Sequence, residues 1–524
     1  MAKILIDINV ILDDLFKRDK KSEALIDGLV ESDHELYITA SMVPVLDYFL
    51  NKYEADKIRF KEKFLSVFRI ISTTGIEASG AIEFQDGEDA LIAMSFKRIA
   101  EDGIIVTNDK NFPLSGLSGL TVEEAMNSLF THPAKENPYI SMLDLKKEYR
   151  SYMEEIDGAV LRSTAEANYI LGPEVGRLEE RIAGYTDVGY AAVCSSGTEA
   201  LVLALRSLAI QNKNKEYWDK GDLVITTPFT FTATGDAILR SGATPLFVDI
   251  DLETYTISAG EIEKALEKYG GMVKGIIPVH LYGQPCNMDG VMKAANERGL
   301  FVIEDCAQSF GAKWRGRHTG TFGDAGCFSF FPSKNLGCFG DGGAVTTNNK
   351  ELAGIIKMLI KHGGKDKYNV EHIGYNARLD TLQASILLVK LNYISEFTER
   401  RRGIAGAYNE GLEVLTGLKD LTSLNIPREA ENSYHVYHQY TIAVKNGNRE
   451  GLQNYLKENG VSTIVYYPVP LHKMKVFEGR CEMYGKLKNA EEASKIVLSL
   501  PIEPLQTKGD IKHIVSVIKN YVNA

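Results

Sequence analysis

From about Asn137 onward, short apolar runs alternate with longer amphipathic ones. The runs are "DLVITTP", "TPLFVDID", "VKGIIPVHLYG", "LFVIEDCAQ", "AGCFSFFPSK" and "GGAVTTN". Between several of them lie stretches such as "SAGEIEKALEKYG" and "MDGVMKAANERG", whose apolar positions recur at helical spacing. Strands alternating with helices in this way predict a largely parallel sheet with helices on both faces. After about residue 400 the order becomes mixed: helix "EFTERRRGIAGAYNEGL", strand "YHQYTIAV", helix "NREGLQNYLKENG". That pattern predicts a smaller α+β domain. The N-terminal part has its own pattern. "KILIDINVIL" is an apolar strand with Asp7 at its end, "EDALIAMSFKRIA" an amphipathic helix opening on Glu88 and Asp89, and "GIIVTNDKNF" a buried strand ending at Asp109.

Length and charge sharpen the division. At 524 residues the chain exceeds one ordinary domain, and its length suggests roughly three to four units. Residues 1–131 hold 14 Lys and Arg against 23 Asp and Glu, a net of −9, while the remainder has a net of −2. The step marks a boundary near residue 131. "THPAKENP" follows it and reads as a linker, with two prolines and few apolar residues. The expected organisation is an N-terminal unit over 1–131, a linker over 132–137, a large domain over 138–400 and a small domain over 401–524.

The net charge of −11 argues against broad binding of nucleic acid or of an anionic membrane. The six cysteines are scattered without a CxxC pair, which suits reduced thiols rather than a disulfide framework or a zinc site. "MAKILIDINVILDD" turns acidic within a few residues, so no signal peptide is expected, and no apolar run is long enough to span a bilayer. The expectation is a cytoplasmic protein with no membrane partner.

In the N-terminal unit three acids sit where strands end or a helix starts, which is where ligands gather in open α/β sheets. Oxygen ligands clustered there suit Mg²⁺ or Mn²⁺, which could activate water for phosphodiester cleavage. On "LIDINVILD", "DGEDALIA" and "IVTNDKNF" the segment resembles the PIN domain family of metal-dependent ribonucleases, many of them toxins. The resemblance implies a PIN-like α/β fold, RNA as a partner and Asp7, Asp89 and Asp109 as metal ligands, with Asp86 a helper. One position departs from the pattern: Val45 stands where the family carries Glu, and Asp47 lies two residues on, turned to nearly the opposite side of a helix.

Four features converge in the larger region. "CSSGTEALVLALRSLA" puts Ser195, Ser196, Gly197 and Thr198 directly before an apolar helix, where free backbone N–H groups can hold a phosphate. "LFVIEDCAQ" ends an apolar strand in Glu304, Asp305 and Gln308, so that a carboxylate could cap the next element or pair with a cationic ring nitrogen. "TPFTFTATGDA" carries Phe229 and Phe231, one expected to pack in the core and the other to stack on a flat ring. In "SFFPSKNLGCFGDGG" Lys334 follows Ser329 by five residues in aromatic, glycine-rich surroundings. A lone loop lysine is ordinarily solvated. In apolar surroundings its pKa falls and the free amine becomes a nucleophile toward carbonyls. Amine, carboxylate, aromatic face and phosphate cup are the parts that hold pyridoxal phosphate. Lys334 could then also shuttle a proton between carbon atoms.

On "YILGPEVGRLEERIA", "SSGTEAL", "PFTFTATGDAI", "GATPLFVDID", "IIPVHLYGQPCNMD", "IEDCAQSFGA", "SFFPSKNLGCFGDGGAV", "GYNARLDTLQASILLVKL" and "YYPVPLH", residues 138–524 resemble the DegT/DnrJ/EryC1/StrS sugar aminotransferases. The implied fold class is α/β: a PIN-like domain fused to a fold type I pyridoxal-phosphate transferase, with a mostly parallel large domain and a small α+β domain. The resemblance makes Lys334 the Schiff-base lysine, Asp305 the partner of the pyridine nitrogen and Gln308 the neighbour of the ring's phenolic oxygen. Phe231 would stack on the ring. Gly197, Thr198 and Ser329 would bind the phosphate, together with Asn376 from a neighbouring subunit, which implies a homodimer with shared active sites.

The implied substrates are a nucleotide-linked keto sugar and glutamate. The details are most similar to the branch acting on UDP-2-acetamido-2-deoxy-3-oxo-glucuronate, for surface polysaccharide. Arg378 could meet a carboxylate of the sugar or of glutamate, or form a structural ion pair. Tyr466, where that branch often shows His, could hydrogen-bond a sugar or phosphate without carrying charge. "GDGG" replaces the "GEGG" of the wider family. Four alternatives stand beside this reading: amination of a 4-keto sugar; dehydration at C-3, against which Lys334 argues because those members carry His there; a nuclease or toxin with a fused metabolic domain; and a binding role for the N-terminal unit, docking another pathway enzyme or an antitoxin-like partner.

Overall fold

The computed structural model describes residues 139–523 except 367, 414–423 and 446–447, and within 1–138 only residues 3–6, 11, 25, 35–39, 68–71, 104–107 and 118–121. The chain separates into two compact units, Met1–Pro138 with Thr507–Gly509, and Tyr139–Gln506 with Asp510–Ala524.

The N-terminal unit holds a five-stranded sheet. Its strands are β1 (Lys3–Ile6), β2 (Glu35–Thr39), β3 (Phe68–Ile71), β4 (Ile104–Val106) and β5 (Ser118–Leu120), in the order β3-β2-β1-β4-β5. Every pairing is parallel. Central β1 is apolar on both faces, with Ile4, Leu5 and Ile6 fully buried, as a strand covered on two sides must be. Asp7, Asp89 and Asp109, with Asp86, Asp47 and Val45, lie outside the described residues.

The second unit is built on an eight-stranded sheet. Its strands are β6 (Tyr190–Cys194), β7 (Leu223–Thr226), β8 (Thr244–Phe247), β9 (Val273–Ile276), β10 (Phe301–Asp305), β13 (Ala325–Ser329), β14 (Gly343–Thr347) and β18 (Glu482–Met483). The order is β18-β8-β7-β9-β10-β13-β14-β6. All neighbours are parallel except at β14, which runs antiparallel to both β13 and β6. The predicted helices "SAGEIEKALEKYG" and "MDGVMKAANERG" form at Ala259–Tyr269 and Met288–Asn296, with Ser258 and Asn287 as N-caps. Helix Gly197–Lys213 is buried without interruption from Ala200 to Ala209, because it lies inside a core that also takes residues from β7, β10, β13 and β14.

Two smaller sheets complete the unit: β11 (Lys313–Trp314), β12 (Arg317–His318) and β16 (Ser433–Tyr434), and β15 (Leu424–Asn425), β17 (Tyr440–Val444) and β19 (Val497–Leu500). The second is antiparallel and sits in a separate core with Tyr408, Leu412, Leu452, Ile514 and Ile518. Ile140 belongs to this same core, and its backbone bonds Gly460 and Ser462. Helix Ile394–Leu412 joins two cores: Phe397 packs in a further cluster with Phe310, Phe328 and Leu387, and Tyr408 in that of the small sheet. All six cysteines are free thiols, five of them buried. Among the described residues no helix is long and apolar enough to cross a membrane.

Candidate active site

The carboxyl ends of β6, β7, β10 and β13 point to one edge of the large sheet, and the start of antiparallel β14 joins them there. Register lines Ser329 up with Gly343 and Gly343 with Cys194. This is the edge at which open α/β sheets collect ligands.

The cup at this edge is built by close approach. Ser196 caps helix Gly197–Lys213, its hydroxyl accepting the Glu199 N–H at 3.1 Å. A Cβ on Gly197 would stand 2.6 Å from the Ser329 Cβ, so no larger residue lets the helix start seat against β13. Thr198 is half-buried in the first turn. The geometry leaves the positive end of the helix facing Ser329, an arrangement that could hold a phosphate.

Neighbouring residues of a strand face opposite sides of the sheet, and this separates the two acids of "IED". Glu304 is fully buried. Its Oε1 accepts the N–H groups of Phe322 (2.6 Å) and Gly323 (3.0 Å), and its Oε2 accepts Gly320 N–H (2.8 Å) and faces His280 Nε2 at 3.0 Å. His280, Glu304 and Cys306 offer three potential ligand atoms within 4.8 Å of one another. Both Glu304 oxygens are taken, however, and His280 Nδ1 accepts the Cys286 N–H at 3.0 Å. The cluster is a satisfied polar node of the core.

Asp305 faces the other way. Its Oδ2 accepts the Thr234 hydroxyl at 2.7 Å and its Oδ1 the Ala307 N–H at 3.1 Å. Burial raises its pKa, offset in part by those two bonds and by the charges of Lys334 and His280. A buried carboxylate with so few donors is suited to a cationic partner, which would restore the charged form.

Lys334 follows β13 in the loop "FFPSKN", its backbone N–H closing a turn onto Phe331 C=O at 2.8 Å. Burial lowers its pKa to about 8, with Asp305 pulling the other way. The amine is therefore far easier to uncharge than that of a solvated lysine. Gln308 is held at both ends of its amide: Oε1 accepts the Tyr282 N–H at 2.7 Å and Nε2 donates to the Tyr467 hydroxyl at 3.0 Å.

The two phenylalanines differ in burial. Phe229 is fully buried in a core cluster, and Phe231, the N-cap of helix Thr232–Arg240, is 56 % exposed with its ring 6.1 Å from that of Tyr467. Tyr466 is half-buried, and its backbone C=O, not its ring, accepts the Tyr282 hydroxyl. Asn376 and Arg378 flank buried Ala377, whose C=O accepts the Ser195 N–H at 2.9 Å. Asn376 is exposed, and Arg378 donates to its side-chain oxygen. Among the described residues Arg378 has no carboxylate partner.

Thr234, Tyr282 and Tyr467 join these residues, although nothing in their own chemistry marks them in the sequence. Thr234 lies within "TFTATGDA" and Tyr467 within "YYPVP". Tyr282 lies in "PVHLYG". The signal was present as neighbourhood, not as residue chemistry.

The model of the DegT/DnrJ/EryC1/StrS aminotransferase family matches residues 151–519. The chain belongs to that family. Among curated relatives, the UDP-N-acetyl-3-dehydro-alpha-D-glucosamine 3-aminotransferase of Acidithiobacillus ferrooxidans is 40 % identical, over 73 % of this chain and 98 % of its own length. The UDP-2-acetamido-2-deoxy-3-oxo-D-glucuronate aminotransferase of Pseudomonas aeruginosa is 38 % identical over 73 % and 100 %. The dTDP-3-amino-3,4,6-trideoxy-alpha-D-glucose transaminase of Streptomyces venezuelae is 36 % identical over 74 % and 97 %. The crystal structure of S. venezuelae DesV superposes with a TM-score of 0.69 at 35 % identity, covering 74 % of this chain and 99 % of that one. The PIN domain model matches residues 3–111. The aminotransferase is thus an α/β enzyme carrying a PIN domain at its N-terminal side.

Proposed function

We propose that the C-terminal unit is a pyridoxal-phosphate-dependent aminotransferase that aminates the 3-keto group of a UDP-linked sugar, best matched by UDP-2-acetamido-2-deoxy-3-oxo-glucuronate, with glutamate as donor. The observation that carries the reading is an easily uncharged lysine in electrostatic reach of a buried, donor-poor carboxylate, beside a helix start fitted against Ser329. Those parts fit the cofactor. Gly197, Thr198 and Ser329 would take its phosphate, Asp305 its ring nitrogen, Gln308 its phenolic oxygen and Phe231 its face. The bound cofactor supplies an electron sink for the carbanion formed at the amino carbon. Lys334 would hold the cofactor and, once released by the incoming amine, move the proton as base and then acid. Tyr466 would face the sugar.

Amination at C-3 is favoured because the three relatives named above all carry a 3-amino or 3-oxo sugar in their names. The uronate reading gives Arg378 its role: one guanidinium N–H donates to Asn376 Oδ1, and the remaining donors would pair with the sugar carboxylate. A homodimer completes the site in this reading, with Asn376 reaching the partner's phosphate. Exposed apolar side chains support it: Phe331 and Phe339 border the Lys334 loop, and Tyr169, Ile170 and Leu171 lie along the start of helix Thr381–Lys390, whose Gln383 accepts the Phe339 N–H.

For the PIN unit the reading is a metal site at Asp7, Asp89 and Asp109 taking Mg²⁺ or Mn²⁺. An RNase assay of Asp7→Asn and Asp89→Asn protein tests it, unchanged cleavage arguing against it.

The decisive experiment for the C-terminal unit is an absorbance spectrum with pyridoxal phosphate, before and after L-glutamate, beside Lys334→Ala. Visible absorbance that bleaches with glutamate and never forms in the variant supports the reading. Loaded enzyme is then offered UDP-linked 3-keto sugars with and without the C-6 carboxylate. Preference for the uronate that disappears in Arg378→Ala supports the finer substrate, and equal turnover of both sugars rejects it.

A further inference from the structure

Nothing in the loop that carries Lys334 explains by itself why the amine stays where it does. Among the described residues no hydrogen bond is made by its Nζ, and its backbone N–H reaches only Phe331 C=O. The next residue has the anchoring that Lys334 lacks. Asn335 is buried, and both ends of its carboxamide are engaged by one short segment more than a hundred positions further on. Its Nδ2 donates to Val436 C=O at 3.3 Å, and its Oδ1 faces His438 Nδ1 at 3.0 Å. Since the amide nitrogen is committed to a carbonyl, the oxygen must be the atom facing the ring, so Nδ1 carries the proton and donates.

His438 is equally buried. Burial pushes its pKa well below the ordinary histidine value, and the charges of Lys334 and Arg401 push the same way. Both effects favour the neutral ring, which can donate from Nδ1 to Asn335 Oδ1. The segment around His438 is held in turn. Val436 N–H donates to Gly283 C=O and Gln439 N–H to Tyr282 C=O, each at 3.2 Å. Gly283 has φ of +92°, and a Cβ there would stand 2.8 Å from Val436 Cγ2 and 3.0 Å from His438 N, so the approach is possible only for glycine. Tyr282 is also the residue whose N–H holds Gln308. One crossing segment, leading directly into β17, thus supports both the lysine loop and the glutamine.

We propose that His438 and Asn335 are positioning residues for the Lys334 amine: their buried hydrogen bond locks the lysine loop to the segment entering the small domain and keeps the amine in its half-buried place within electrostatic reach of Asp305. This deepens the aminotransferase reading and rests on it for the importance of the amine. Its test is made on the cofactor-free full chain, so that it stands apart from cofactor chemistry.

The measurement is competitive acetylation with acetic anhydride as a function of pH, read at Lys334 by mass spectrometry. Unmodified protein should label with an apparent pKa of about 8. In His438→Ala or Asn335→Ala the loop loosens and the amine becomes more fully hydrated, so its pKa should rise by about one unit, read as about tenfold slower labelling at neutral pH. The double variant should add little to either single one, since each breaks the same bond. His438→Gln, which can still donate to Asn335 Oδ1, should label like the unmodified protein. Lysines remote from the site serve as internal standards, and a variant whose far-UV circular dichroism is not native is replaced in the comparison by the other single variant. An unchanged Lys334 pKa in a folded His438→Ala or Asn335→Ala protein overturns the proposal, as does additivity in the double variant or failure of His438→Gln to rescue. Absence of the glutamate-bleached absorbance in unmodified protein would instead reject the aminotransferase reading, and leaves the labelling result to be judged by itself.

Discussion

Asp305 and Lys334 are each costly alone and suited to one another. Burial works against the charge on both: it raises the carboxyl pKa and lowers that of the amine. Thr234 and Ala307 give the carboxylate only two donors, which leaves its charge incompletely compensated until a cation arrives. Asp305→Asn keeps the shape and removes the charge. It is expected to slow the half-reaction with glutamate by roughly a hundred- to several thousandfold, the scale of a broken buried ion pair of about 3–5 kcal/mol. Stopped-flow bleaching of the cofactor absorbance measures it, and a change under threefold would remove Asp305 from the ring nitrogen. The sequence marked Asp305 and Lys334 by their positions after apolar strands. It could not say that Glu304, one residue earlier, is spent on four core contacts, because those partners come from the turn at 320–323 and from His280.

At the level of elements, the edge of the large sheet depends on how closely three of them meet: β13, β14 and helix Gly197–Lys213. Gly197→Ala places a methyl 2.6 Å from the Ser329 Cβ, and backbone must shift to admit it. Overpacking of this kind costs about 1–3 kcal/mol. The expected outcome is cofactor affinity reduced by roughly ten- to a hundredfold, measured by fluorescence titration, with far-UV circular dichroism unchanged. Affinity equal to that of the parent would show that the helix start does not hold the phosphate. Most elements here were legible beforehand. Apolar runs became β7 to β10, β13 and β14, and the helix-spaced stretches became helices, since both patterns are local and tertiary contacts did not override them. What escaped was polarity within an element. "YHQYTIAV" reads as a strand, and β17 starts only at Tyr440, because His438 and Gln439 are engaged with Asn335 and Tyr282.

At the scale of the whole molecule, one buried acid joins distant parts of the C-terminal unit. Glu503 faces Lys147, Asp144 and Glu148 from one end of the chain segment and Arg401 from helix Ile394–Leu412. Burial pushes its carboxyl up to about 7, against the pull of Lys147 and Arg401, and its Oε2 has no hydrogen-bond partner. In the unfolded chain the same group titrates near the ordinary glutamate value of 4.5. Between those two values the folded protein keeps a proton that the unfolded chain has released, so stability falls as pH rises from about 4.5 to about 7 and then levels off. Glu503→Gln removes this term. Its unfolding free energy relative to the parent should match near pH 4 and be higher by about 3 kcal/mol at pH 8. Denaturant unfolding across that range is the measurement, and a pH-independent difference rules the effect out. At the same scale, relatives are covered almost end to end by about three-quarters of this chain. Protein lacking residues 1–131 should therefore keep the glutamate half-reaction within about twofold, the spread of small contact effects. A tenfold loss would give the PIN unit a part in that chemistry.

The sequence by itself determined the alternation of strand and helix, the two-part organisation, the family of the larger part, and the four stretches that meet at the sheet edge. These follow from periodicity and from residue types close together in the chain. The tertiary structure decided how neighbouring residues of one stretch are spent: Glu304 on four core contacts while Asp305 keeps two donors, Phe229 buried and Phe231 exposed. It also decided what holds them, as with Asn335 and His438, 103 positions apart. The reason is physical. Burial, hydrogen-bond partners and the resulting pKa shifts depend on groups brought together from distant segments, and no local pattern records which groups those will be.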